Sequence, residues 1–200
     1  RGNTQNRQGV ILSQPSINQE FLKHYVDTLM KHIKPGQKLL SVGEGQGHVA
    51  HELMKRGVTV SSIDISEENT KKALERGVNQ KVGDATRLAQ AYEGEQFDIV
   101  LFSESIGGMN IDEVLQQAYL VLRPGGQLLV ATYRQDQEDV ESSVYTQFLY
   151  YSQGEILQSM KKMDLQNINT QSIYSSPVDL ESSDVGPPEI VYDLFIATKP

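Results

Sequence analysis

Ser41-Val42-Gly43-Glu44-Gly45-Gln46-Gly47 is the stretch whose reading decides the fold. It follows Leu39-Leu40-Ser41-Val42, a short apolar run that reads as a strand, and precedes His48–Arg56, a helical run stopped by Gly57. Glycines let the backbone turn sharply after the strand and let a ligand approach closely, because no Cβ stands in the way. The helix that follows aims its free N–H groups and its positive dipole end at whatever lies in front of the turn. A tight strand-to-helix connection with no ligand would use the same glycines, so the turn needs support from the rest of the chain.

Working outward, the strand-then-helix pattern repeats. Val58–Ile63 reads as a strand, Ser66–Arg76 as a helix ended by Gly77, and Val78–Val82 as a strand followed by a short helical stretch near Arg87–Tyr92. Phe97–Phe102 is a strongly apolar strand, Ile111–Leu122 a helix, and Pro124-Gly125-Gly126 turns the chain into a strand at Gln127–Thr132. Upstream, Ile17, Phe21, Leu22, Tyr25, Leu29 and Ile33 recur at helical spacing across Ser16–Ile33, and residues 1–15 read as irregular. Downstream, Asp139–Tyr151 and Glu155–Met163 read as helices. Two late strands, Asn167–Tyr174 and Ile190–Thr198, flank an acidic, Pro-containing loop and read as an antiparallel hairpin on the sheet edge. Alternating strands and helices imply a parallel sheet covered on both faces, a three-layer α/β/α sandwich. Ligands of such sheets bind beyond the C-terminal strand ends where the winding reverses, and the first strand belongs there.

The 200 residues suffice for one domain and a sizeable core, with 38% hydrophobic and 22% charged residues. The apolar runs are too short for a membrane span, and Arg1–Arg7 is polar, with no signal-type core. A net charge of −8 argues against non-specific nucleic-acid binding, and Lys71-Lys72 and Lys161-Lys162 read as solvated helix faces. The absence of cysteine excludes disulfides, thiolate metal sites and Cys nucleophiles, and the default compartment is the cytoplasm. His48 and His51 read as helix-surface residues, and no metal site is expected.

Two acids follow strands at telling positions. Asp64, in Ser62-Ile63-Asp64-Ile65-Ser66, lies 21 positions after Gly43, the spacing of an acid that grips ribose hydroxyls. A carboxylate accepts two hydrogen bonds from a vicinal diol. After the third strand comes Gly83-Asp84-Ala85-Thr86, where an acid can accept from an adenine amino group and Ala85 can offer its N–H. Each acid also has a plainer reading as a helix cap.

Together with Leu122-Arg123-Pro124-Gly125-Gly126, this succession resembles the class I S-adenosylmethionine (SAM)-dependent methyltransferase family over about Lys38–Thr132. The resemblance implies a Rossmann-like, seven-stranded, mostly parallel sheet with an antiparallel last strand. It implies SAM as cofactor, held by Ser41, Gly43, Glu44, Gly45, Gly47, Asp64, Ile65, Gly83, Asp84, Ala85, Ser103 and Glu104. Many members carry an acid two residues before the first glycine. Here that position is Ser41, while Glu44 stands inside the turn, so either residue is a candidate for the methionine end of SAM. Residues 1–35 are expected to form a lid and helix, and 36–200 the methyltransferase domain.

Glu104, Ser105 and Tyr133 fall beyond the fourth and fifth strands, where an acceptor would sit, and Glu104 and Tyr133 are the catalytic candidates. No Asn/Asp-Pro-Pro-Tyr/Phe follows the fourth strand, so a small-molecule acceptor is favoured over nucleic acid, under a roof that includes Tyr145–Tyr151. Two alternatives stay open. One is a SAM-binding regulatory subunit without catalysis. The other is a nicotinamide-binding protein, since Gly45, Gly47 and Ala50 also fit Gly-x-Gly-x-x-Ala.

Overall fold

The computed structural model describes residues 19–133, 151–174 and 191–200. The expectations for residues 1–18, for the stretch 139–150 and for the loop 175–188 lie outside them. Helix α1 covers Gln19–Leu29, then β1 Lys38–Val42, α2 His48–Lys55, β2 Thr59–Asp64, α3 Glu67–Glu75 and β3 Asn79–Val82. A single 3-10 turn at Ala85–Arg87 leads into α4 Leu88–Ala91, β4 Phe97–Ser103, α5 Ile111–Val121 and β5 Leu122–Tyr133. The described chain ends with α6 Gln153–Lys162, β6 Gln166–Tyr174 and β7 Val191–Thr198.

The strands form one seven-stranded sheet in the order β3-β2-β1-β4-β5-β7-β6, and β7 alone runs against the others. Neighbouring side chains on each strand point to opposite faces, which splits the core in two. Leu39, Ile99, Leu101, Leu129, Leu194 and Ile196 pack with α1, α2 and α3 residues such as Tyr25, Leu53 and Ala73. Leu40, Val100, Phe102, Leu128, Val130 and Phe195 pack with Leu88, Leu115, Ala118 and Met160 on the opposite face. The helices change face between β3 and β4, so the winding reverses between β1 and β4, whose registers pair Val42 with Phe102.

Element boundaries fall within a few residues of the sequence reading except at two places. Helix α1 stops at Leu29 and runs out through a turn to Ile33, which is still only 1% exposed. The turn read at Pro124–Gly126 lies within the irregular start of β5, which begins at Leu122 rather than at Gln127. Leu122 pairs with Phe97 ahead of a register shift, and Gly125 N donates to Lys199 O at 2.9 Å while Lys199 N donates to Gly126 O at 2.9 Å. The expected late hairpin is present, with its second strand lying inside the sheet.

Candidate functional site

The glycine turn sits at the reversal point, and its three glycines all take left-handed φ values of +68° (Gly43), +65° (Gly45) and +83° (Gly47). Only glycine adopts these without strain. A Cβ on Gly43 would lie 2.5 Å from Ser105 Cβ, and one on Gly47 would lie 2.9 Å from Ala73 Cβ, so packing as well as backbone demands them. A Cβ on Gly45 would meet nothing within 4 Å. That glycine faces open space.

The turn is fastened from behind by residues that the sequence did not single out. Gln80, 5% exposed on β3, donates to Gly45 O at 2.9 Å and to Thr70 Oγ1 at 3.2 Å, and accepts from Ser62 Oγ at 2.9 Å. Arg76 donates to Gln46 O at 3.0 Å. The available signal was a polar residue at the inward position of the Val78–Val82 alternation. Ser105 Oγ donates to Val42 O and closes the turn from the β4 side.

Asp64 is 8% exposed. Its Oδ2 accepts from Gly45 N at 2.8 Å and its Oδ1 from Ser66 N at 2.9 Å, so the carboxylate ties the turn to the start of α3. Ser66 itself caps α3 by accepting from Asn69 N. Each oxygen of Asp64 retains lone-pair capacity for a diol. Next to it Ile65 is 74% exposed, and Val82, on the neighbouring strand end, is 51% exposed. Gly83 packs against Ile63, whose Cδ1 would stand 2.8 Å from a Cβ. Asp84 is exposed and its Oδ1 accepts from Thr86 N at 2.8 Å, capping the 3-10 turn that Ala85 opens.

Ser41 and Glu44, posed by the sequence as alternatives, are joined. Ser41, fully buried, donates its hydroxyl to Glu44 Oε2. Glu44 Oε1 accepts from Ala50 N at 2.8 Å, and the Val49 amide also bonds the carboxylate. Glu44 therefore caps α2, whose N-terminal position, Gly47, has no side chain to do so. Burial pushes the Glu44 carboxyl up to about 7, against the lowering effect of these hydrogen bonds.

Ser103 and Glu104 end β4. Tyr25 Oη lies 2.8 Å from Ser103 Oγ, which brings α1 into the site. Sequence reading placed Tyr25 on the apolar face of that helix, where it also belongs, since it is 1% exposed. Glu104 takes φ +57°, and its N donates to Ala131 O at 2.8 Å. The residue is reachable by solvent, yet protein surrounds its carboxyl and pushes it up to about 7, while the Tyr192 hydroxyl donates to it and acts the other way. Tyr25 is held well above the usual phenol range, first by burial and then by the Glu104 charge. Tyr133 ends β5 opposite Tyr192, and its side chain lies outside the described residues. Tyr151 Oη donates to Met109 O and accepts from Ile111 N, fastening the segment after Glu104. His48 and His51 lie half-buried on α2, and burial lowers the His48 pKa.

The comparisons with known proteins point one way. Residues 40–130 match the family described as methyltransferase domain. A ubiquinone/menaquinone biosynthesis C-methyltransferase UbiE of Cereibacter sphaeroides is 31% identical over 113 residues, 51% of this chain and 44% of that protein. A ubiquinone biosynthesis O-methyltransferase of Pseudomonas fluorescens is 35% identical over 103 residues, 48% of this chain and 44% of the relative. The matched regions span less than half the length of these relatives. Among solved structures, a SAM-dependent methyltransferase of Thermotoga maritima, described as a possible histamine N-methyltransferase, superposes with a TM-score of 0.71 at 21% identity, covering 90% of this chain and 89% of its own. By its matched domain over residues 40–130 and by a sheet wound as in these proteins, the chain is similar in sequence and in fold to SAM-dependent methyltransferases.

Proposed function

We propose that the protein transfers a methyl group from SAM to a small-molecule acceptor. The observation that carries this reading is the grouping of Gly45, Asp64 and Ile65 at the adjoining C-terminal ends of β1 and β2: an open glycine, a sequestered carboxylate, and a large apolar side chain 74% exposed beside it. That set fits a nucleoside, since the carboxylate suits a ribose diol and Ile65 with Val82 supplies apolar cover for a base. Asp84 and Ala85 stand at the same strand end and would meet the edge of the base. Ser41 and Glu44 would face the amino-acid end as one hydrogen-bonded unit. The relatives named above are described as acting in quinone biosynthesis, which supports a small acceptor.

When bound, SAM supplies a methyl group already activated on a sulfonium. The protein's own task is then chiefly alignment, worth up to about 7–11 kcal/mol in well-oriented reactions. Ser103, Glu104 and Tyr25 lie at the end of β4, where an acceptor can be oriented and relieved of a proton. Among the described residues no helix is long and apolar enough to cross a membrane, and a cytoplasmic site of action is part of the same reading.

Calorimetry with SAM and with its demethylated product, S-adenosylhomocysteine (SAH), tests the proposal. Asp64→Ala is expected to weaken both by about 100-fold, the worth of charge-assisted hydrogen bonds. Unchanged affinity would remove Asp64 from the ribose site. Tight binding with no transfer to any acceptor would favour a SAM-binding subunit.

A further inference from the structure

Three aromatic rings meet beside Glu104. Phe21 and Tyr192 have centroids 5.5 Å apart, Phe21 and Tyr25 5.8 Å, and Tyr25 and Tyr192 6.2 Å. Tyr25 is the buried floor, while Phe21 and Tyr192 are half-exposed walls. The Tyr192 hydroxyl donates to the Glu104 carboxylate, so rings and acid form one assembly at the C-terminal ends of β4 and β5. Among the described residues no Lys, Arg or His pairs with Glu104. Glu104 itself holds φ +57°, an uncommon conformation for a residue with a side chain and one that recurs where function demands it. Among the described residues the other two of this kind, Asp164 and Asn167, sit in the turn after α6 and at the register shift of β6.

A carboxylate set against aromatic faces is complementary to a cation. An anionic acceptor would be repelled by Glu104 and Glu44, and a neutral alcohol would leave the acid without a charge partner. Resting on the methyltransferase reading, we propose that the acceptor is an amine, received in its protonated form by Glu104 between the rings of Phe21 and Tyr192. The ammonium nitrogen has no lone pair, so a proton must leave first. Glu104 accepts it. The freed lone pair forms the bond to the methyl carbon, and the electron pair of the breaking carbon–sulfur bond stays on sulfur. The products are a methylated ammonium and a neutral thioether, and the proton on Glu104 passes to solvent. Glu104 is thus receptor and base in turn, a role suited to a carboxyl that titrates near neutrality.

The test is binding to the SAH-saturated protein, measured by calorimetry with a series of primary and secondary amines, 2-phenylethylamine among them, each paired with the corresponding alcohol. Amines are expected to bind about tenfold or more tightly than their alcohols. Glu104→Gln should weaken the amines by about 10- to 100-fold while changing SAH affinity by no more than about twofold. Tyr192→Phe, which keeps the ring but removes the donor, should retain amine binding and raise the pH at which it sets in. Equal binding of amines and alcohols overturns the proposal, as does an E104Q variant that loses SAH and amine alike, because Glu104 would then serve the cofactor. Absence of SAH binding in the wild-type protein would sink the methyltransferase reading itself, and this one with it.

Discussion

Glu44 shows how much one side chain does before any ligand is considered. Its two oxygens are occupied by Ser41 and by the first amides of α2. The sequence could pose Ser41 and Glu44 as rivals because both stand near the first glycine, but it could not show the turn folding one onto the other. Burial raises the Glu44 carboxyl from 4.5 to about 7, and Glu104 shifts over the same range. A folded-state value above the unfolded one means that the folded protein binds more protons between those limits. Stability therefore falls as pH rises from about 4.5 to 7 and levels off above. The expected loss is of order 1 kcal/mol per carboxyl, after allowance for the solvent that reaches both. Urea denaturation at pH 5 and pH 8 would measure it, and Glu44→Gln should remove about half of the difference. A flat profile in the unsubstituted protein would mean that neither carboxyl is perturbed.

The glycine turn was legible because its chemistry is local: alternate glycines, a strand before and a helix after. What holds it was not, because Gln80 and Arg76 reach it from 30 or more positions along the chain. Polar side chains carry no sequence mark of a distant partner, apart from Gln80 occupying an inward strand position. The pairing at Gly125 and Gly126 was not legible for a similar reason, since their partner is Lys199. The turn itself makes a paired prediction. Gly43→Ala places a Cβ 2.5 Å from Ser105 and should cost about 3 kcal/mol or more in strain and displaced packing. Gly45→Ala meets nothing within 4 Å and should cost only the left-handed backbone, about 1–2 kcal/mol, yet bind SAH poorly because its methyl would occupy the open space beside Asp64. Thermal denaturation and SAH calorimetry separate the two. A Gly45→Ala protein with full SAH affinity would move the cofactor away from this turn.

For the whole molecule, a parallel sheet covered on both faces followed from the helix–strand alternation. The place of β7 did not, since a hairpin can join a sheet by either of its strands. Here the later strand lies between β5 and β6, with Phe195 fully buried on one face and Leu194 fully buried on the other. Phe195→Ala is expected to cost about 3–5 kcal/mol, a large share of a typical domain stability of about 5–15 kcal/mol. Guanidinium denaturation should show one transition shifted to lower denaturant, because both cores share this strand. A separate early transition for β6 and α6 alone would show instead that the sheet edge folds independently.

The interior position of β7 also orders events during synthesis. After β1, the strands β2, β3, β4 and β5 can each pair as they emerge with a neighbour already made. Strand β6 has no partner when it leaves the ribosome, because the strand it must lie against follows it in the chain. Until β7 arrives, β5 presents an open edge and β6 waits unpaired, two surfaces that invite pairing with another nascent chain. The segment that completes the sheet is therefore also the one whose late arrival leaves the growing chain most dependent on chaperones.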